Sequence, residues 1–481
     1  CAPARTTIIT GLYATSLGAH HMRSAVRLPP GFRLFPQLLR EAGYYTSNNS
    51  KLDYNLVGWE AIGDGESQGV WSESSREAHW RNRPDTDAPF FAVFNLGQTH
   101  ESNMWEEKNG EPVWPDLGFD LESIEVPPYF PDTKKVRESI ARNYMNIEFA
   151  DRNLGELMRA LEEDGLAENT IVFVWTDHGP MPRGKRWPYD SGVRSPLIVR
   201  WPDGLPGGTV YDELVSTIDL APTVMSLCGV EIPRHIQGRA FLGAKAEAPR
   251  EYVYAARDRY DEMYDTVRAV RDKRFKYIRH YHPEQPYMLY NRYRNIHPIM
   301  QEIWRLHVGG KLSGPQAEML KGKRPAEELF DTQADTHEIA NLASDPAYAD
   351  ELRRLSIALD EWQREVGDLG LVPEDIMYRQ MYPDGEQPET LVPLMVVLGG
   401  ENYGLEENPD GGYFTGPAVL QMQSSTQGAS IAYTLDGSAD ARWLLYHEPI
   451  RLPVGKTRVR AQAIRIGYKP SQEVAAKFVI S

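Results

Sequence analysis

Two short β-prone runs separated by a long one-faced helix constrain this chain more than any other feature. Pro89-Phe-Phe-Ala-Val-Phe-Asn-Leu96 is a continuous apolar run, too short for an ordinary helix. Thr170-Ile-Val-Phe-Val-Trp175 and Pro196-Leu-Ile-Val-Arg-Trp201 have the same character, and all three are expected as buried strands. Between the first two, Val136, Ile140, Tyr144, Ile147, Leu154, Leu157 and Leu161 recur mostly at intervals of three and four, which is one face of a helix. Gly165 is placed to end it. Strand, helix and strand in that order form a crossover unit, so the chain reads as α/β, with a mostly parallel sheet sandwiched by helices. In open sheets of this kind ligands collect at the carboxyl ends of the strands. His100 follows the first strand and Asp177-His178 the second, which predicts one shared site over residues 1–250.

Downstream the pattern changes. Arg268-Ala-Val-Arg-Asp-Lys-Arg-Phe-Lys-Tyr-Ile278 predicts a hairpin turning at Asp272-Lys273, and a helical pattern runs from Ala349 to Val366. Residues 251–375 therefore read as a smaller α+β subdomain. Residues 376–412, rich in Pro, Gly, Asn and Glu, read as a linker. In 413–481, Ile431-Ala-Tyr-Thr-Leu435 precedes the turn pair Asp436-Gly437, and Thr457-Arg-Val-Arg-Ala-Gln-Ala463 alternates apolar with polar positions. Both point to a small β-sandwich. With 481 residues and 41% apolar composition, the chain has material for several cores. Its 52 Lys+Arg against 68 Asp+Glu give a net charge of −16, which argues against nonspecific binding to nucleic acid or to anionic lipid. No run approaches the ~18 apolar residues of a membrane span. Only Cys1 and Cys228 occur, so neither a disulfide framework nor a Cys-rich zinc site can be built.

Cys1-Ala-Pro-Ala-Arg5 resembles the C-x-P-x-R signature of the type I sulfatases, in the alkaline phosphatase superfamily. Trp175-Thr-Asp177-His178-Gly179 is similar to that family's metal-binding turn, an Asp beside an Asn or His. Gly184-Lys185-Arg-Trp-Pro-Tyr-Asp-Ser-Gly-Val-Arg-Ser-Pro196 closely resembles its G-K-x-x-x-Y-[ED]-x-G-x-R-x-P segment. Gln98-Thr-His100-Glu101 resembles the segment carrying the leaving-group histidine. Asn48-Asn-Ser-Lys51-Leu-Asp53 matches the place of the family's Lys-x-His, with Asp53 replacing the histidine. That Lys-x-Asp form, with Gly18-Ala-His-His-Met-Arg23, resembles bacterial relatives of the heparan N-sulfatases. Glu327-Glu-Leu-Phe-Asp331 and Thr336-His-Glu-Ile-Ala-Asn-Leu342 resemble the family's C-terminal subdomain. The last seventy residues resemble the C-terminal module of chitobiase-type enzymes.

The resemblance implies an alkaline phosphatase-like fold and a metal-dependent hydrolase of sulfate esters, or N-sulfates, of a carbohydrate or aryl substrate. Cys1 would be oxidised by a formylglycine-generating enzyme to formylglycine. One hydroxyl of the hydrated aldehyde would attack sulfur, and the other would help expel sulfate. The implied catalytic groups are Cys1, Arg5, Lys51, Asp53, His100 and Lys185, with Asp177, His178 and Cys1 on a divalent cation, Ca²⁺ or alternatively Mg²⁺. His100 would protonate the leaving oxygen, a task suited to an imidazole near neutral pH. Arg5, Lys51 and Lys185 would offset the sulfate charge. Asp53 could take the diol's second proton or be structural, held by Lys51.

The resemblance also implies a first strand ending in two aspartates ahead of the signature Cys. Without it the cation has at most three protein ligand groups here, fewer than the ~6–8 Ca²⁺ takes, and the sheet is expected to carry an unpaired edge or gap. A chain opening at Cys1 with no initiator Met gives no reading of destination, and the family implies a periplasmic or secreted one. Two alternatives stand beside the sulfatase reading. One is a phosphomonoester or phosphonate hydrolase of the same superfamily, and the other an inactive sulfatase-like protein that binds sulfated glycan.

Overall fold

The structure, a computed structural model, describes the chain apart from residues 30, 58–68, 106, 109–110, 113–117, 262, 290, 382–383, 385–387, 401, 427–428 and 466. These described residues fall into two compact units, one of residues 1–22 with 28–371 and one of 23–27 with 372–481. Among them no helix is long and apolar enough to cross a membrane.

In the first unit, helix α1 (Ala2–Thr10) begins directly after Cys1. A proline sits in its first turn, where the missing N–H has no intrahelical partner to lose. Strands β1 (Tyr45–Asn49), β2 (Glu73–Ser74) and β3 (Phe90–Phe94) form a parallel sheet in the order β2-β1-β3. Register pairs Tyr45 with Phe90 and Asn49 with Phe94, so the carboxyl ends of β1 and β3 lie level and the segments bearing Lys51 and His100 leave from the same side. Helix α2 (Lys134–Glu163) follows, with the Thr133 hydroxyl accepting the Val136 N–H at 3.4 Å. It leads to β4 (Val172–Trp175), which pairs antiparallel with β5 (Leu197–Arg200).

The strands expected to be buried are not. Every residue of β3 and β4 is half-buried, and Ile198 of β5 is 62% exposed. The reason is edge pairing. Among the described residues β3 pairs only with β1, and β4 only with β5. Both strands line one cavity of about 1660 Å³, which Ile147, Leu154 and Leu157 of α2 also line.

The hairpin and the later helix form where the pattern placed them. Strands β6 (Val253–Arg257), β7 (Val267–Arg271), β8 (Phe275–His280) and β9 (Glu327–Asp331) make an antiparallel sheet in chain order. The Asp272 carboxylate closes the β7–β8 turn by accepting the Arg274 and Phe275 N–H groups at 2.7 and 2.6 Å. Helix α3 (Ala349–Val366) packs Leu355, Leu359 and Trp362 against Val270, Tyr277 and Leu329. Val267, Ala269 and Ile278 instead join Val136, Ile140, Trp187 and Tyr189. The sheet is therefore covered on both faces, and it shares a core with the part that carries the site.

The second unit is two sheets over the common core of Val397, Leu420, Val459, Ala461 and Phe478. One of its strands, Leu394–Gly399, lies inside the span 376–412 expected as a linker, because Met395 and Val397 alternate inward with a strand's period of two. Residues 382–383, 385–387 and 401 of that span lie outside the described residues.

Candidate active site

The start of α1 and the segments after β1, β3 and β4 supply the site. Cys1 caps the amino end of α1, and its Sγ lies 2.9 Å from Nε2 of His178. That nitrogen is 3.3 Å from Oδ1 of Asp177. Thiol, carboxylate and imidazole all lie within 4.8 Å of one another. Burial pushes the His178 imidazole well below its usual range, which keeps the ring neutral and able to donate a lone pair. Burial alone would raise Asp177, but the positive charges around it, Lys51 and Arg5 among them, more than offset it and the carboxyl is held low. A charged oxygen donor and a neutral nitrogen donor beside position 1 fit a divalent cation, as the sequence implied.

Arg5 acts on backbone. Its guanidinium donates to the carbonyls of Lys51 at 2.6 Å and Leu52 at 3.0 Å, and stacks 5.7 Å over Tyr54. It thereby clamps the loop after β1. Lys51 faces Asp53 at 3.9 Å, and burial lowers its ammonium. Asp53 sits at φ 48°, in the left-handed region that side chains with a Cβ rarely adopt. Lys51 lines the same cavity as Cys1, Arg5, His100, Asp177 and His178.

His100 caps a short 3₁₀ turn, Glu101–Met104. Its Nδ1 lies 2.8 Å from the Ser102 hydroxyl and accepts the Ser102 N–H at 3.3 Å, so Nε2 is the nitrogen left for a substrate. Burial, then Lys51 and Lys185, lower this imidazole below its ordinary value.

Lys185 rides a tightly folded turn. Gly179 N–H donates to Gly192 C=O at 3.0 Å, and Lys185 N–H to Gly179 C=O at 3.0 Å. A Cβ on Gly179 would lie 1.9 Å from the Ser191 oxygen, and one on Gly192 would lie 2.2 Å from the Gly184 oxygen. The glycine spacing of this segment is thus dictated by backbone touching backbone. Arg183 fastens the turn, stacking 3.7 Å from the Tyr189 ring centre and donating to the His337 and Glu338 carbonyls at 3.1 and 2.8 Å.

Six of the eight residues singled out from the sequence line this cavity, while Asp53 stands beside Lys51 and Lys185 Nζ is buried against Glu101. Sequence reasoning gave no role to two others. Glu101, 2% exposed, accepts Lys185 Nζ at 2.6 Å and both arms of Arg186 at 2.8 and 3.0 Å. The available signal was an acid next to a site histidine and a second base next to a site lysine.

Known proteins resemble this chain along most of its length. The sulfatase family profile matches residues 1–230, that of the N-sulphoglucosamine sulphohydrolase C-terminal region matches 178–305, and that of the chitobiase/beta-hexosaminidase C-terminal domain matches 409–475. An ulvan-active sulfatase of Formosa agariphila is 37% identical, covering 98% of this chain and 83% of its own length. Human N-sulphoglucosamine sulphohydrolase is 25% identical over 80% of this chain and 84% of its own. Among solved structures, a 2-O GAG sulfatase superposes with a TM-score of 0.51 at 17% identity, covering 76% of this chain and 82% of that one. A phosphonate monoester hydrolase from Silicibacter pomeroyi gives 0.51 at 19% identity, over 77% and 87%. The shared fold is therefore alkaline phosphatase-like and common to both chemistries, while the sequence match separates them. With a relative at 37% identity along nearly its whole length, and a profile that spans every site residue, the chain belongs to the sulfatase family.

Proposed function

We propose that this sulfatase removes sulfate esters from a sulfated polysaccharide of the ulvan type, outside the cytoplasm, where such a polymer is met. The substrate class is supported by the 37% identical ulvan-active relative and by the match to a chitobiase-type C-terminal domain. The site assignment rests on one observation: Cys1 Sγ lies 2.9 Å from His178 and inside a 4.8 Å cluster with Asp177.

Asp177 and His178 would hold the cation, assigned as Ca²⁺ on the family resemblance, and it supplies positive charge for an anionic sulfate. Cys1, once converted to formylglycine, supplies a hydrated aldehyde as nucleophile. The chain's other residues do the rest. Lys51 and Lys185 offset sulfate charge as it builds toward the transition state. Arg5 holds the Lys51 loop at two carbonyls, so that charge need not be reorganised during the reaction. His100, fixed through Nδ1, delivers a proton from Nε2 to the departing sugar oxygen. Asp53, beside Lys51, is the base available for the nucleophile's second proton.

The test is full-length protein co-expressed with a formylglycine-generating enzyme, with intact mass reporting conversion of Cys1. Sulfated ulvan oligosaccharides should be desulfated, paired phosphate esters turned over far more slowly, and Asp177→Ala should lose both bound metal and turnover. Activity in protein whose Cys1 is unmodified would sink the mechanism. Preference for the phosphate ester would sink the substrate class.

A further inference from the structure

The segment bearing His100 and the turn bearing Lys185 are separate in sequence, and one buried carboxylate joins them. Glu101 is the residue after His100, and Lys185 and Arg186 are consecutive. The Glu101 carboxylate takes Arg186 with both oxygens at 2.8 and 3.0 Å and Lys185 Nζ at 2.6 Å. Side-chain exposures are 1% for Glu101, 0% for Arg186 and 4% for Lys185, so the contacts exclude water. Tyr260 lies under Arg186 at 4.9 Å and 6.0 Å from Lys185 Nζ, and Tyr293 lies 5.5 Å from Lys185 Nζ.

Charge counting gives the cluster a purpose beyond packing. A lysine paired with a single carboxylate would be neutralised and of little use to a sulfate. Here the carboxylate is shared. Arg186 satisfies it through a two-pronged fork, a geometry a lysine cannot supply, so Glu101, Lys185 and Arg186 together keep one formal positive charge. Lys185 is the member whose ammonium has three donors and, among the described residues, Glu101 as its one carboxylate partner, so that charge is carried at its Nζ.

We propose that Glu101 is a positioning residue for desulfation: it tethers the Lys185 ammonium at the sulfate position and locks it to the His100 segment, while Arg186 keeps Lys185 from being neutralised. The inference rests on the role given to Lys185 above. The same carboxylate thus sets the distance between the group that binds sulfate and the group that protonates its leaving oxygen.

A double-mutant cycle on the converted enzyme tests it, using Glu101→Gln, Lys185→Ala and the pair. Glu101→Gln should lower kcat by ~10² with a smaller change in KM, the loss expected when a reacting group is misplaced by about an ångström. In the Lys185→Ala background the same substitution should cost less than threefold in kcat, because the tether then has nothing to position. Equal losses in both backgrounds would overturn the inference and leave Glu101 a structural residue. If Lys185→Ala keeps full activity, the role of Lys185 fails instead, and the two failures are thereby told apart. Should Glu101→Gln not fold, Glu101→Asp carries the same cycle, since it keeps the charge but shortens the reach. It should lose activity only when Lys185 is present.

Discussion

His100 has one ring nitrogen committed to Ser102 and the other free for a substrate, and two lysines lie close enough to depress its proton affinity. These facts set its pH behaviour. An alkyl sugar leaves poorly and needs the imidazolium, so kcat/KM for a sugar sulfate should fall as pH rises through the free-enzyme value, which lies below the usual ~6.5. An anionic sulfate seated between Lys51 and Lys185 cancels much of their field, so the alkaline limb of kcat should lie at higher pH. An aryl sulfate, already a good leaving anion, should show little of this limb. His100→Ala should accordingly cost ~10²-fold or more on sugar sulfates and far less on nitrophenyl sulfate. Matching pH–rate limbs and matching losses for both substrates would remove His100 as the acid.

At the scale of elements, the Lys185 turn and helix α3 do different work. Gly192→Ala would drive a Cβ to 2.2 Å from the Gly184 oxygen and 2.6 Å from that of Trp187, both backbone atoms that cannot rotate away. It should destabilise by at least ~2 kcal/mol in urea titration and reduce turnover with it. Gly155→Ala is the control: it lies in α2 with nothing within 4 Å of the new Cβ, and should stabilise by about 0.5–1 kcal/mol. On α3, Trp362 is 4% exposed, stacked at 4.8 Å on Tyr254 and edge-on at 5.1 Å to Tyr13, which follows the helix that begins at Cys1. Trp362→Ala should cost ~3–5 kcal/mol. Helix α3, the β7–β8 hairpin and α2 were legible because each rests on local periodicity or on a turn carboxylate. The half-exposure of β3 and β4 was not, because an apolar run reports what a strand could bury and leaves open which neighbours cover it. The Lys185 turn was legible as a pattern of glycines, but the contacts that require them appear only in three dimensions. Glu101 stayed hidden for a related reason: a buried acid and an exposed one read alike in sequence until the partner, Arg186, arrives from 85 residues away.

Across the whole molecule, the buried ion pairs make stability a function of acidity. Burial would raise Glu101 and Asp368, yet Arg186 with Lys185, and Arg268, hold both at about 2. Arg268 meets Asp368 through Nε at 2.6 Å and Nη2 at 2.8 Å, and is itself 0% exposed. A carboxyl held low when folded and ordinary when unfolded stabilises the fold above the unfolded value, and that contribution is lost as pH falls through the folded one. For a value near 2 against 4.5 and 3.8 unfolded, this amounts to roughly 2–3.5 kcal/mol per group. Asp258 and Glu338 run the other way, since burial raises them, and they soften the slope. Asp190, Asp265 and Glu328 are held low by arginine, lysine or histidine partners and reinforce it. The urea midpoint should therefore be flat near neutrality and fall steeply between about pH 4.5 and 2. Glu101→Gln, less stable at pH 7 because two buried cations lose their shared anion, should show a shallower fall by one proton's worth over the same range. If the variant's slope matched that of the parent, the charge on Glu101 would have to be compensated outside the Lys185–Arg186 pair.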